Sequence, residues 1–402
     1  MFHIINSCRK AIDLKILMIN VVCGIRSTGR ICTDLATTLD SQGHEVKIAY
    51  GREKVPEQFD KYAVRIGTDI DVKLHGIRAR LFDGCGWGSW TATKKFIAWV
   101  KKYDPDVIHI HNIHGYYINI ELLFSYLKTC GKRIIWTLHD CWPFTGHSAF
   151  CDAANCNKWK TGCFDCPYKR AYPASLIDRS KQNWENKKII MSDIPNLMLV
   201  TPSEWLKAMI EQSFLAAYPV RVIHNGIDVS QFFQMESDIR VSLRINDKFV
   251  LLGVSTAWDD MKGYSDYLKL ADILGDNYKI VLVGLTKAQK KKLPANIVGI
   301  ERTNSIKELS QIYSAADLFL NLSYCENYPT VNLEAIACGT QVLTYDTGGS
   351  PESAYGGIVV ERGNLEAVAE AIKNYKKTTI HIDRNKFDKS VTVREYQKLM
   401  EG

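Results

Sequence analysis

The sequence predicts an α/β fold in which two doubly wound, Rossmann-like domains face a cleft. Two observations carry this prediction. Short apolar runs alternate with helical patterns along most of the chain, and the runs are continuous, as strands covered on both faces require. The alternation breaks near residues 225–247 and then restarts, which divides the chain of 402 residues into two domains of similar size.

The first domain begins with an apolar run at residues 15–22. Basic residues precede this run, as in a signal peptide, but it is brief, it contains Asn20 and no small-residue cleavage site follows it. We therefore interpret it as a strand, which leaves residues 1–13 as an extension. The predicted strands of this domain are 15–22, 45–50, 107–111, 133–138, 197–201 and 221–224, and its predicted helices include 31–41, 120–130 and 204–214.

The second domain follows the irregular segment. Ser305 with Glu308 three residues later is typical of a helix start, and Gly339 is typical of a helix end. The predicted strands are 249–254, 279–283, 318–322, 341–344 and 358–360, and the predicted helices are 263–274, 307–315, 331–337 and 365–375.

Composition excludes several classes of protein. The hydrophobic fraction of 46% and the charged fraction of 24% are ordinary for a globular chain and exclude disordered and collagen-like proteins. No apolar run reaches the length of a membrane span. The formal charge of +7 is too small for a dedicated nucleic-acid binder, but it suits a protein that handles anions or touches an anionic membrane. Basic pairs and runs at 94–95, 101–102, 187–188 and 290–292 are either solvated helix faces or part of such a membrane contact.

Three loops that follow predicted strands carry the residues of an anion site. Gly29 and Arg30 lie in a glycine-containing turn that opens a helix, although a plain turn would look the same. Lys262 stands at the mouth of a helix, where it is either a phosphate ligand or an ordinary exposed lysine.

The third loop is the most informative. Backbone N–H groups at Thr330 and Val331 open a helix and favour an anion. Glu326 and Glu334 flank that position, and carboxylates there should accept hydrogen bonds from sugar hydroxyls rather than bind phosphate.

Histidines and cysteines form two further clusters. His109 and His111 fall on one face of a strand, and buried, hydrogen-bonded imidazoles are favoured over a metal site there. A C-x-x-C pair with two further thiols nearby suits a structural zinc ion, while disulfides and free thiols remain alternatives. These four cysteines are Cys151, Cys156, Cys163 and Cys166.

Taken together, several motifs resemble one family. They are Glu326-x7-Glu334, Lys262-Gly263, His224-Asn-Gly-Ile-Asp228, the segments 27–31, 137–147 and 158–167, and Glu326-Asn-Tyr-Pro-Thr330. This combination resembles the retaining GT-B glycosyltransferases of glycosyltransferase family 4, in particular bacterial capsule, colanic-acid and O-antigen transferases. The resemblance covers about residues 15–400. It implies an N-terminal acceptor-side domain at 14–225, a nucleotide-sugar domain at 226–384 and a C-terminal helix at 385–402 that packs back on the first domain.

The resemblance also implies roles for individual residues. Lys262 with the N–H groups of Thr330 and Val331 would hold the diphosphate, Glu334 the ribose and Glu326 the donor sugar. The implied donor site is completed by Gly29, Arg30, Thr303, Asn327 and Tyr328, and the implied acceptor side contains Asn112, His139, Asp140 and His147. His139 would lie at the reacting centre, so the catalytic set is Glu326, His139 and Lys262. An arginine that often precedes the lysine is replaced here by Thr256 or Ala257.

The implied reaction moves a hexose or N-acetylhexosamine from a nucleotide sugar, expected to be UDP-linked, to a saccharide acceptor on polyprenyl diphosphate. No catalytic metal is expected, because helix dipoles and Lys262 would neutralise the leaving group. The product would be a capsule, an O-antigen or another exopolysaccharide, made in the cytoplasm at the inner membrane face. A sugar-nucleotide epimerase on the same fold and a zinc-ribbon binding module are the alternatives.

Overall fold

The computed structural model describes residues 13–377 and 382–402, which form two compact units. The first unit contains the chain from residue 13 to residue 201 together with Met209–Arg221 and Val393–Gly402. The second contains Pro202–Ala208 and Val222–Thr392. Residues 1–12 of the predicted N-terminal extension lie outside the described residues.

The first unit is built on one sheet, which has seven strands within the described residues. Its order is β3-β2-β1-β4-β5-β6-β7, and β1 to β6 pair in parallel. The strands are β1 (Lys15–Asn20), β2 (Glu45–Tyr50), β3 (Ala63–Arg65), β4 (Val107–Ile110), β5 (Arg133–Thr137), β6 (Leu197–Thr201) and β7 (Val220–Val222). The helices are α1 (Arg26–Ser41), α2 (Asp69–Phe82), α3 (Trp90–Tyr103), α4 (Ile120–Leu127) and α5 (Ser180–Met191). The next helix, α6 (Glu204–Ile210), belongs to the second unit up to Ala208 and to the first unit from Met209.

The second unit repeats this plan with a parallel sheet, which has six strands within the described residues, in the order β10-β9-β8-β11-β12-β13. Its strands are β8 (Phe249–Val254), β9 (Tyr278–Val283), β10 (Ile297–Ile300), β11 (Leu318–Asn321), β12 (Val342–Tyr345) and β13 (Ile358–Val360). Its helices are α7 (Ile239–Ser242), α8 (Tyr264–Leu274), α9 (Lys287–Lys290), α10 (Ile306–Ala315), α11 (Thr330–Ala337), α12 (Ser350–Ser353) and α13 (Leu365–Lys373). The last helix, α14 (Lys389–Glu401), belongs to the first unit from Val393 onward.

The strands are apolar on both faces, so each sheet has to be covered by other elements on both sides. In β1, Ile16 to Ile19 are no more than 1% exposed, and helices flank each sheet in the alternation that parallel strands require. The predicted α/β fold of two Rossmann-like domains is confirmed. The strand at 15–20 confirms the interpretation of the first apolar run, and Ser305 accepts the N–H of Glu308 at the start of α10, as predicted.

Some elements differ from prediction. The helix α1 begins at Arg26, five residues before the predicted start, because the glycine of its first turn is tolerated there. The short strands β3 and β10 and the helices α2, α3 and α5 were not predicted. Strand β10 contains a glycine, and α2 carries apolar residues on its exposed side, so neither shows the ordinary pattern of its class. Among the described residues, we find no helix of the length and apolarity that a membrane crossing demands.

Each sheet has one point at which the strand order reverses. In the first unit this point lies between β1 and β4, and in the second between β8 and β11. In open α/β sheets, ligands bind beyond the carboxyl ends of the strands at such a point. The loops that follow these four strands are therefore where functional side chains are expected.

Candidate functional site

In the second unit, Lys262 and Glu326 meet at the carboxyl edge of the sheet. Lys262 follows β8, and Glu326 follows β11. The Lys262 Nζ donates to Glu326 Oε1 at 2.5 Å, and the two side chains are 38% and 14% exposed. Burial lowers the pKa of Lys262, but the charge and hydrogen bond of Glu326 outweigh it and raise that pKa above its ordinary value. The two residues form a charged pair that solvent can reach.

Glycines allow the loops that carry this pair to pack closely. Gly263 has a φ of +72°, and a Cβ there would lie 2.1 Å from the carbonyl oxygen of Leu322. A Cβ on Gly348 would lie 1.8 Å from the carbonyl oxygen of Glu326. Because no side chain fits at either position, both loops are fixed against their neighbours, and the pair is held in place by backbone packing.

The start of α11 presents backbone donors beside the pair. Thr330 and Val331 are half-buried, and the first turn of α11 contains no acidic side chain. One turn further on, Glu334 accepts a hydrogen bond from the Tyr313 hydroxyl at 2.8 Å. The helix start can therefore attract an anion, while Glu334 offers a carboxylate that Tyr313 orients.

A buried amide network beneath α11 escaped sequence reasoning. The side chain of Asn332, which is fully buried, donates to the Ser353 hydroxyl at 2.8 Å and to the Ser350 hydroxyl at 3.2 Å. It accepts a hydrogen bond from the Asn321 amide at 3.0 Å. These bonds fasten α11 to the end of β11 and to α12. The only signal in the sequence was an asparagine that ends an otherwise apolar strand.

Packing fixes the remaining residues of the loop after β11. Tyr328 is buried and its ring stacks on His224, with 4.5 Å between the ring centroids. Asn327 Oδ1 accepts a hydrogen bond from the Ser203 hydroxyl at 2.5 Å. The Tyr328 side chain thus supports the loop from inside, and a ligand would meet its backbone rather than its ring.

Thr303 lies in the loop after β10, at the same edge of the sheet. It is half-buried, and the neighbouring Asn304 donates its backbone N–H to the Glu308 carboxylate at 2.6 Å. This bond orders the loop at the start of α10.

In the first unit, Asn20 organises the point where the strand order reverses. This buried side chain donates to the carbonyl of Val22 at 2.8 Å, and its oxygen accepts the N–H of Asn112 at 3.2 Å. It thus ties the loop after β1 to the loop after β4. Gly29 is buried in the first turn of α1, while Arg30 is exposed.

Three histidines follow one another along β4 and beyond β5. His111 Nδ1 and His139 Nε2 share a hydrogen bond of 3.0 Å, and His109 Nε2 lies 2.9 Å from the Thr137 hydroxyl. Burial lowers the pKa of His109 to about 3 and that of His139 to about 4, so both imidazoles are neutral near pH 7. His139 is partly exposed, whereas His109 and His111 are buried, so solvent reaches the row at His139.

Asp140 and His147 have different surroundings from His139. Asp140 accepts the N–H of Trp142 at 2.9 Å and pairs with His114 at 2.8 Å, so it orders its loop. His147 is 2% exposed, and its Nδ1 lies 2.5 Å from a carboxylate oxygen of Asp83. His147 is thus an interior side chain bonded to Asp83, and its acceptor-side role stays a prediction.

The four clustered cysteines line one cavity, together with His147. None of the four forms a disulfide with another described cysteine, and Cys163 accepts the backbone N–H of Gly146 at 3.2 Å. In the part of the chain that the structure describes, His147 Nε2 has no hydrogen-bond partner. Among residues 13–377 and 382–402, no three His, Cys, Asp or Glu side chains are already grouped as a metal site.

The prediction that the basic pair at 187–188 is exposed is wrong for Lys187. Lys187 is 1% exposed, and its Nζ donates to the carbonyls of Trp142 and Thr145 at 2.7 and 3.0 Å. Burial lowers the pKa of Lys187 to about 7, although nearby thiols and carboxylates oppose this shift. This lysine fastens the loop 142–145 from beneath and does not contribute to a basic surface.

Two models of glycosyltransferase domains match the two halves of the chain. The Glycosyltransferase Family 4 model matches residues 28–231, and the model described as Glycosyl transferases group 1 matches residues 235–392. A protein of Escherichia coli that carries the name colanic acid biosynthesis glycosyl transferase WcaC is 24% identical over 345 residues, which are 82% of each chain.

Two further proteins extend the comparison. An N,N'-diacetylbacillosaminyl-diphospho-undecaprenol alpha-1,3-N-acetylgalactosaminyltransferase of Campylobacter jejuni is 24% identical over 196 residues, 43% of this chain and 52% of that protein. The crystal structure of HepE from Anabaena in complex with UDP-glucose superposes with a TM-score of 0.65 and 15% identity, over 96% of this chain and 99% of that one. The structural likeness shows the GT-B fold, and none of these three proteins carries the name of an epimerase. The matched segments cover most of the chain, and the protein is a GT-B glycosyltransferase that belongs to Glycosyltransferase Family 4.

Proposed function

We propose that this glycosyltransferase moves a hexose or N-acetylhexosamine from a UDP-sugar to a saccharide carried on polyprenyl diphosphate, with retention at the anomeric carbon. The observation that carries the proposal is the pair of Lys262 and Glu326 beside the start of α11, where the strand order of the second unit reverses. A cation, free N–H groups and two carboxylates at one sheet edge match the parts of a nucleotide sugar.

Each part of the donor finds a chemically suitable group. The diphosphate would lie against Lys262 and the N–H groups of Thr330 and Val331, because both present positive charge. Once a phosphate takes over Lys262, the Glu326 carboxylate is released to accept hydrogen bonds from sugar hydroxyls. Glu334, oriented by Tyr313, would accept the ribose hydroxyls in the same way.

Retention would follow from attack on the face that the diphosphate leaves. Retaining hydrolases place a carboxylate nucleophile on the far face of the sugar, and no residue is assigned that role here. In front-side attack the barrier is lowered mainly by stabilising the leaving diphosphate, which is the role given to Lys262 and α11. His139, neutral at physiological pH, would accept a hydrogen bond from the incoming hydroxyl or donate one to it.

The acceptor class is argued from the first unit and from the relatives. Asn112, His139 and Asp140 follow β4 and β5, so this carboxyl edge offers polar groups to a saccharide. WcaC is named for colanic acid biosynthesis, and the Campylobacter enzyme is named for an acceptor on diphospho-undecaprenol. A surface polysaccharide such as a capsule or O-antigen, assembled at the cytoplasmic face of the membrane, is therefore the proposed product.

The cysteine cavity is proposed to hold a structural zinc ion rather than a catalytic one. Cys156, Cys163 and Cys166 line it, and the further ligand would be Cys151 or the Nε2 of His147, which has no hydrogen-bond partner among the described residues. Asp83 on His147 Nδ1 resembles the outer carboxylate that orients metal-bound imidazoles. The thiols would have to draw together, since they are not yet grouped as ligands. Four protein ligands leave no open position, so no step of transfer is assigned to the metal.

Nucleotide binding and single-turnover transfer test the proposal. Titration calorimetry with UDP, ADP, GDP and their sugars should give the tightest binding for the uridine series. The sugar product, resolved by NMR, should retain the anomeric configuration of the donor. Inverted product would contradict the proposed stereochemistry, and equal binding of all three nucleotides would contradict the assignment of UDP.

A further inference from the structure

Helix α2 of the first unit presents an apolar stripe to solvent. Four large aliphatic side chains lie on its outer side, at spacings of four, three and four residues that place them along one line of the helix. They are Ile70, Leu74, Ile77 and Leu81, and their exposed fractions are 68%, 61%, 55% and 42%. Four exposed aliphatic side chains in one line are unusual on a soluble surface and indicate an interaction site.

The opposite side of α2 is firmly anchored. His75 and Ala79 are each 2% exposed, and His75 Nε2 accepts the backbone N–H groups of Gly86 and Gly88, both at 3.1 Å. The orientation of the helix is therefore set by its buried side, and the stripe cannot rotate inward to hide from water.

Cations border the stripe on both sides. At 100° per residue, Lys73 and Arg80 fall on one side of it and Arg78 on the other, and all three are exposed. Among the described residues none of the three forms an ion pair. The acidic side chains of the helix are engaged at its start, where Asp69 pairs with Arg65 and Asp71 completes the capping box.

The apolar surface continues past the end of the helix. Phe82 is 55% exposed, and the backbone N–H of Leu176 donates to the Arg80 carbonyl at 2.8 Å. Leu176 and Ile177 are themselves exposed. The stripe is thus widened by a second segment of the chain that hydrogen bonds fix beside it.

We propose that α2 is a membrane-docking helix, which lies in the headgroup region of an anionic bilayer with its stripe towards the acyl chains. Aliphatic side chains bordered by lysine and arginine are typical of helices that lie in this interface. The occupant is chosen by charge, since anionic lipids neutralise the cations on both borders. A second copy of the chain would instead bring two cationic borders together.

This inference rests in part on the proposed function, because a polyprenyl-linked acceptor is presented at such a surface. It can nevertheless be tested without donor or acceptor. The full chain is floated with vesicles of phosphatidylcholine alone and with vesicles that also contain phosphatidylglycerol. We expect binding to the phosphatidylglycerol vesicles, weakened by salt, and little binding to phosphatidylcholine.

Two double variants and a matched control test whether vesicle binding depends on the stripe and its cations or on any exposed apolar side chain. Leu74→Gln with Ile77→Gln should weaken vesicle binding at least about tenfold, because two side chains lose their burial in the acyl boundary. Lys73→Glu with Arg80→Glu should abolish the preference for phosphatidylglycerol. Ile189→Gln changes a side chain of the same unit that is 69% exposed and should leave binding unchanged.

Specific results would overturn the inference. Equal binding by the stripe variant and the parent chain would do so, as would a parent dimer that the stripe variant converts to a monomer. Melting temperature and UDP binding of each variant guard against misfolding. Transfer to a water-soluble acceptor analogue should be unaffected by the stripe variant. If no nucleotide sugar is used by any variant, the proposed function fails while the vesicle result stands.

Discussion

Substitutions of Lys262 and Glu326 should change UDP binding in opposite directions. In the structure the lysine ammonium donates to the glutamate at 2.5 Å, so each charge neutralises the other. A diphosphate has to share or replace this bond. Glu326→Gln removes the competitor, whereas Lys262→Met removes the cation and leaves a carboxylate beside the phosphates.

The exposure of the pair sets the size of the two effects. Because the lysine side chain is 38% exposed, the ion pair is worth about 0.2–1 kcal/mol, and Glu326→Gln should tighten UDP binding about 1.4- to 5-fold. A hydrogen bond from a charged group is worth about 1.5–3 kcal/mol, so Lys262→Met should weaken UDP binding about 13- to 160-fold. Transfer of the sugar should fall in both variants.

Titration calorimetry with UDP at constant ionic strength measures both effects. The control is Lys398→Met, which removes the lysine of another 2.5 Å ion pair, on the last helix of the chain, and should leave UDP affinity unchanged. The reasoning is refuted if Glu326→Gln weakens UDP binding as much as Lys262→Met does. That result would mean that the carboxylate itself contacts the nucleotide.

Three further results are expected. Gly263→Ala should abolish UDP binding and lower the free energy of unfolding, because its Cβ would collide with a backbone carbonyl. The control is Gly356→Ala, also at positive φ, where a Cβ would meet no described atom within 4 Å; it should lower the free energy of unfolding, measured with urea, by only about 1 kcal/mol. Acid should destabilise the first unit, because burial holds the pKa of His109 at about 3 and that of His139 at about 4, below the ordinary 6.5. The unfolded chain therefore binds protons first, and the urea midpoint should fall as the pH drops below about 6.5. A midpoint that does not change with pH would contradict the buried, neutral histidines. Protein purified without added zinc should contain about one zinc per chain by elemental analysis and lose thermal stability with a chelator, and a content near zero would remove the structural metal.

Sequence reasoning was most successful where the physical cause was local. Four predicted strands have the bounds that the structure shows, because a short aliphatic run between two helical patterns is typical of a buried strand. They are 45–50, 197–201, 249–254 and 358–360. The meeting of Lys262 with Glu326 also follows from the strand order, since neighbouring parallel strands bring their loops to one edge.

The contacts that were not predicted join residues that are distant in sequence. Asn332 looks like an ordinary helix residue until Asn321 and Ser350 are placed around it. The hydrogen bond that His147 makes in the interior was not predicted, because its partner Asp83 lies 64 residues earlier in the chain. The fully buried Lys187 has no local signal at all, because its carbonyl partners lie more than forty residues earlier in the chain. Such contacts become visible only after the strands have been ordered in space.

The last turns of the chain make the first unit discontinuous, and this affects how the protein can be dissected. Tyr396 shares a hydrogen bond with Thr137, which in turn contacts His109, and Arg133 donates to the carbonyl of Met400. A fragment that ends at residue 221 would lack these partners and would expose the apolar surface that the final helix covers. Expression of the first unit alone therefore requires residues 393–402 to be supplied, either through a linker or as a separate peptide. Such a split pair offers a complementation assay, in which added peptide restores the fold of the fragment.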